Sequence, residues 1–170
     1  NPRVLLIHHV KNLESWWSDL SNEWKAALKK NNPAIKSNNP SIEILTQTVT
    51  VTQLDLDSAQ IESLIPITRF VNLSTLDFSN NPISDLLPLS EVKTLVTLRG
   101  KNTLVSDFSI LKENDLLEYI DLEFSPIKSI EKIMAIPNLK YLNVNGADFD
   151  QSFIPEFLIQ RPSLNIVFRS

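Results

Sequence analysis

The chain repeats itself every 22 residues, and this period restricts the available folds more than any other feature of its 170 residues. Val51, Leu73, Leu95, Leu117 and Leu139 stand at intervals of 22, and three residues after each come Leu54, Leu76, Leu98, Ile120 and Leu142. Two places further are Leu56, Phe78, Gly100, Leu122 and Val144, followed five places later by Ile61, Ile83, Val105, Ile127 and Phe149. A register held through four successive intervals without an insertion implies one supersecondary unit used again and again.

Each unit contains two rhythms. Leu54 and Leu56 alternate with Asp55 and Asp57, as a half-buried strand requires. Leu64, Ile67 and Phe70 in one unit, and Leu86, Leu89 and Val92 in the next, recur at threes, which suits a 3₁₀ return. Pro66 and Pro88 fall inside those returns, where a missing N–H is tolerated better than in a sheet. No unit can bury its apolar side alone, so neighbouring units must stack into one continuous core.

The segment "LSTLDFSNNPISDLLPLSEVKT" resembles the leucine-rich repeat pattern L-x-x-L-x-L-x-x-N-x-I, specifically the 22-residue bacterial form seen in internalins. The resemblance covers about residues 51–150. It implies an α/β fold: a right-handed leucine-rich repeat solenoid with a parallel concave sheet and short helical or 3₁₀ convex returns. A single domain is expected, with an N-terminal helical cap over 1–50, repeats over 51–150 and a C-terminal cap over 151–170. Two departures stand out. The Asn column of the family reads Ala59, Asn81, Thr103, Ser125 and Ala147, so only one turn keeps its Asn and the others are expected to rely on backbone or water. Gly100 takes a core position, and a bulge or a cavity is expected there.

The ends of a solenoid need covers. Trp17, Leu20, Trp24 and Leu28 stand at helical spacings, with Ser21 placed to cap a helix running to about Lys30 and a basic last turn at Lys29 and Lys30. A short helix is expected from Ser41, while residues 3–13 fit a helix or a strand. After the repeats the interval from Leu139 to Leu164 lengthens to 25, "SFIPEFLIQRP" reads as a short helix, and Leu164, Ile166 and Phe168 alternate as a final strand.

Composition removes several chemistries. A net charge of −4 without a basic patch disfavours nucleic acid and anionic membrane as partners. The longest apolar runs fall far short of the roughly 20 residues that span a bilayer. Two glycines cannot build a phosphate-cradling loop or a dinucleotide fingerprint, and zero cysteines exclude disulfides and thiolate chemistry. His8 and His9 lack a metal-binding context, and the Asp55, Asp57 and Asp77 group lacks a calcium-loop pattern. Asn72 opens a sequon-like tripeptide of the kind that arises often by chance. Trp16, Trp17 and Trp24 could form a platform for carbohydrate or peptide, but their spacing favours cap packing. No enzyme, metal or cofactor is expected.

The informative surface lies between the strand leucines. Three columns emerge: Gln53, Thr75, Thr97, Tyr119, Tyr141; Asp55, Asp77, Arg99, Asp121, Asn143; and Asp57, Ser79, Lys101, Glu123, Asn145. Neighbours within a column come about 4.8 Å apart. Tyr119, Tyr141, Arg99 and Asp121, with Asp77, Asn143 and Phe124 around them, form the candidate binding face, since tyrosine and arginine are enriched at binding hot spots. The competing expectation is a solvated sheet in which Arg99 merely neutralises Asp77 and Asp121. The expected activity is non-enzymatic binding of a protein or peptide by a monomer. A spacer within a larger bacterial surface protein and a glycan-binding surface protein are the alternatives, and the resemblance implies a secreted or cell-envelope setting.

Overall fold

The computed structural model describes residues 12–147, 149–152 and 154–169. His8, His9 and most of the ambiguous 3–13 segment therefore lie outside the described residues, which begin in a helix, α1, covering 12–19. Next come α2 (Asn22–Asn31) and α3 (Ile42–Val49). Five strands follow at the repeat spacing: β1 (Gln53–Asp55), β2 (Thr75–Asp77), β3 (Thr97–Arg99), β4 (Tyr119–Asp121) and β5 (Tyr141–Asn143). Helix α5 (Ile154–Gln160) and strand β6 (Asn165–Val167) complete the chain. The strands make one parallel sheet in sequence order.

Register follows the period: Leu54, Leu76, Leu98, Ile120 and Leu142 lie side by side at the strand centres, none more than 2% exposed. At the last pairing Tyr141 stands opposite Asn165, an offset of 24 rather than the 25 counted between Leu139 and Leu164. Three returns are 3₁₀ turns, Ile65–Arg69, Leu87–Glu91 and Ser109–Glu113, the first two carrying their prolines in the first turn. The fourth return is helical, α4 (Ile130–Met134). Their apolar thirds, from Leu64, Ile67 and Phe70 onward, are buried against the inner face of the sheet. Asn114 is the exception. It replaces the Phe70 and Val92 of the earlier returns, is fully buried, and donates its amide to the carbonyls of Leu89 and Val92.

At the N-terminal end Ser21 caps α2, its Oγ accepting the Trp24 N–H at 3.3 Å. Trp17 and Trp24 are buried and donate their indole N–H groups to the carbonyls of Asn38 and Ser63, and Trp16 meets Phe70 edge-on. The tryptophans belong to the core. Asn31 closes the free edge of β1, donating to the Asp55 carbonyl at 2.6 Å and accepting the Asp55 N–H at 2.9 Å, as a neighbouring strand would. Ser41 stands before α3, but its side chain makes no capping hydrogen bond. At the other end Arg161 reaches back to the carbonyls of Met134, Ile136, Pro137 and Leu139 and ties α5 to the last full repeat.

The turn column corrects one expectation in part: Ala59 and Ala147 rely on backbone as expected, their N–H groups donating to the Leu56 and Val144 carbonyls. Asn81 donates to the carbonyls of Leu56, Phe78 and Ser79 and accepts the Ile61 N–H. Where Thr103 and Ser125 replace it, hydroxyls rather than water alone serve the turn: both donate to the Gly100 carbonyl, at 3.3 and 2.9 Å. Gly100 corrects another. The ladder runs through it without a bulge, its N–H donating to the Asp121 carbonyl, and the Phe78 ring fills the space where a cavity was expected.

Candidate functional site

The strand alternation that buries the leucines turns the three polar columns to the opposite face. In the second column the side chain carries a local duty. Asp55, Asp77, Asp121 and Asn143 each accept, on Oδ1, the N–H two residues ahead, at 2.9 to 3.3 Å. These Asx turns end each strand. Arg99 cannot do this, and the Lys101 N–H turns to the Ser79 hydroxyl instead, at 3.2 Å.

Beyond the strands a second period appears at the backbone level. Ser58, Asn80, Asn102, Phe124 and Gly146, all 22 apart, share a positive φ between 49° and 73°. Asn and Gly accept this left-handed geometry readily, whereas a bulky side chain does so at a cost. Phe124 adopts it while 60% exposed, its ring lying against Gly146.

Sequence reading places Arg99, Tyr119, Tyr141, Asp121, Asn143, Asp77 and Phe124 on one face, and the structure divides them. Tyr119 and Tyr141 stack with centroids 4.4 Å apart and planes 3° from parallel. The Arg99 guanidinium lies over the Tyr119 ring at 5.4 Å, so the three make one ladder across β3, β4 and β5. Burial, followed by the neighbouring Tyr119, pushes the Tyr141 phenol up. All three positions are half-buried. Asp121 and Asn143 lie beneath, only 4% and 8% exposed. Asp77 is half-buried and joins Asp55 and Arg99 around a shallow hollow of about 400 Å³.

The centre of the polar network is Lys101, which sequence columns include but do not distinguish. Its ammonium meets Asp121 at 3.2 Å and Glu123 at 3.3 Å. Asp121 further accepts from Asn143 at 3.1 Å, and Glu123 from Asn145 at 2.8 Å. The Asp121 contact raises the Lys101 pKa, and the Asn145 amide, followed by Lys101, holds the Glu123 carboxyl below its usual range. The expectation that Arg99 neutralises Asp77 and Asp121 is thereby overturned. Lys101 takes Asp121, and Arg99 forms no ion pair or side-chain hydrogen bond among the described residues.

Asp55 and Asp57 are likewise engaged locally, Asp55 with Lys30 and Asp57 with Asn80 and Ser58. Among the described residues no three His, Cys, Asp or Glu side chains are disposed to hold a metal ion, and no helix is long and apolar enough to cross a membrane.

Comparison with known proteins agrees with the repeat fold. The leucine-rich repeat family model matches residues 72–91. No curated protein sequence matches the chain. Among solved structures, internalin C2 of Listeria monocytogenes is similar over 76% of this chain and 56% of its own, with 23% identity and a TM-score of 0.64. Internalin F of the same organism is similar over 86% and 42%, with 20% identity and a TM-score of 0.66. The leucine-rich repeat ectodomain of the receptor kinase SOBIR1 of Arabidopsis thaliana is similar over 70% and 69%, with 19% identity and a TM-score of 0.54. The chain thus spans about half the length of the two internalin structures. Its repeat, its parallel sheet with short returns and these neighbours together make it a leucine-rich repeat solenoid of internalin-like fold.

Proposed function

We propose that the protein is a non-enzymatic binding module that holds a protein or peptide against its concave sheet. The observation that carries this reading is the ladder of Arg99, Tyr119 and Tyr141, half-buried side chains of hot-spot type held rigid by mutual stacking. Rigid aromatic groups lose little rotamer entropy on binding, which favours affinity. The stacking also argues against a sugar. Each tyrosine gives one ring face to the other, and the second face of Tyr119 lies under Arg99, so the faces a pyranose would use are largely taken.

Asp121 and Asn143 act in this reading as supports, and Phe124 marks the rim of the surface. The test is capture of partners by the wild-type chain and by a Tyr119→Ala/Tyr141→Ala variant, read by mass spectrometry. Both chains should fold alike, and the variant should lose the partners that wild type retains. Identical capture by the two would remove the site.

A further inference from the structure

Arg99 stands in register between two aspartates, Asp77 on β2 and Asp121 on β4, yet pairs with neither. Asp121 is fully committed below it, to Lys101, to Asn143 and to the Glu123 N–H. Asp77 uses one oxygen on the Ser79 N–H. The Arg99 guanidinium instead lies over Tyr119, which itself rests on Tyr141. A guanidinium so held presents a fixed fork of donors with no acceptor among the described residues, the arrangement that suits a planar, bidentate acceptor.

Resting on the reading of this face as a peptide site, we infer that the partner segment carries a Glu or Asp whose carboxylate is received by Arg99, beside a residue packed against the Tyr119–Tyr141 ledge. The local charges choose a carboxylate over a doubly charged phosphate or sulfate. Asp55 and Asp77 line the hollow with Arg99, and Asp121 stands opposite it on β4, so repulsion at this position grows with the charge of the incoming group. The shallow form of the hollow beside Arg99 chooses a carboxylate that is part of a chain. A free small acid would meet one arginine and little else, whereas an extended segment adds contact along the tyrosines.

The test uses a library of immobilised, end-blocked octapeptides in which each position is varied among Glu, Asp, Gln, Lys and neutral residues, probed with the wild-type chain and with Arg99→Gln and Arg99→Lys. Wild type should select Glu or Asp at one position and lose at least tenfold in affinity when that residue is made Gln. Arg99→Gln should bind the Glu and Gln members equally, and Arg99→Lys should recover only part of the preference, because a point charge lacks the fork. Circular dichroism and thermal unfolding should be unchanged in both variants. Selection of peptides without an acidic preference, or a preference that survives Arg99→Gln, overturns this inference and leaves the peptide-binding reading standing. Absence of any selected peptide sinks both.

Discussion

The ring of Phe78 occupies the space that a side chain at position 100 would need: a β-carbon on Gly100 would lie 2.3 Å from Phe78 Cζ. The two residues sit in the same column of adjacent repeats, and one large residue fills the room of two. Gly100→Ala should therefore destabilise by about 1–3 kcal/mol through overpacking, against the usual gain of replacing glycine. Phe78→Leu alone should also destabilise, by leaving a void. The double variant should recover at least about 1 kcal/mol relative to the sum of the singles, as expected for residues that share one space. Urea unfolding of the four proteins measures this coupling; strict additivity would contradict the packing described.

Phe124 holds a left-handed backbone conformation while mostly exposed, so its ring returns little burial for the strain. Phe124→Asn should raise stability by about 1 kcal/mol, since asparagine tolerates that conformation and already occupies it at Asn80 and Asn102. Thermal unfolding reads the effect. A variant that is less stable than wild type would mean that the contact of the ring with Gly146 outweighs the strain.

Arg161 gathers four carbonyls at the end of the last full repeat. Removing it with Arg161→Ala should cost about 2–4 kcal/mol, because hydrogen bonds to a charged group contribute about 1.5–3 kcal/mol each and are not additive. Hydrogen exchange should show the loss first in α4 and β5, with β1 and β2 unaffected. Uniform loss across the sheet would deny Arg161 a local capping role.

The pH dependence follows from the direction of the shifts. The Asp55 and Glu123 carboxyls lie below their usual values, Asp55 chiefly through the Asp57 N–H and Glu123 chiefly through Asn145. The unfolded chain then binds more protons in acid, so their stabilisation is present above the unfolded values of about 4 and is lost as pH falls through the folded ones. Lys101 is raised, chiefly by Asp121, so its contribution is complete below about pH 10 and disappears as pH climbs through the folded value. Lys101→Met should reduce that alkaline limb to the part that the raised Tyr141 phenol contributes, and lower stability near neutrality by about 1–2 kcal/mol, since it leaves the buried Asp121 without its cation. Chemical unfolding from pH 3 to pH 11 tests both limbs, and an alkaline limb unchanged in Lys101→Met would contradict the assignment.

The candidate site was readable as a set of columns, but not as a set of contacts. Equal spacing identifies Tyr119 with Tyr141 as neighbours, and they stack. It cannot choose between Arg99 and Lys101 as the partner of Asp121, because Arg99 stands in register beside it and Lys101 only two residues on, and the structure gives Asp121 to Lys101 and lays Arg99 over Tyr119. The left-handed column had a signal in Asn80, Asn102 and Gly146 at intervals of 22, obscured by Ser58 and Phe124. Arg161 and Asn31 had none, since each acts on backbone atoms more than 20 residues away.

The period, the strand and return within each unit, and the side of the sheet on which each residue falls can all be read along the chain. Those features follow from burial in one dimension, where every apolar column must meet its copy in the next repeat. Packing across the repeats settles the rest: Phe78 fills the gap at Gly100, hydroxyls of Thr103 and Ser125 stand in for an asparagine, and Lys101 releases Arg99 to the tyrosines. Each of these is a competition between neighbouring side chains for one space or one partner, and such competitions are settled by distance and angle across strands, which spacing along a chain does not contain.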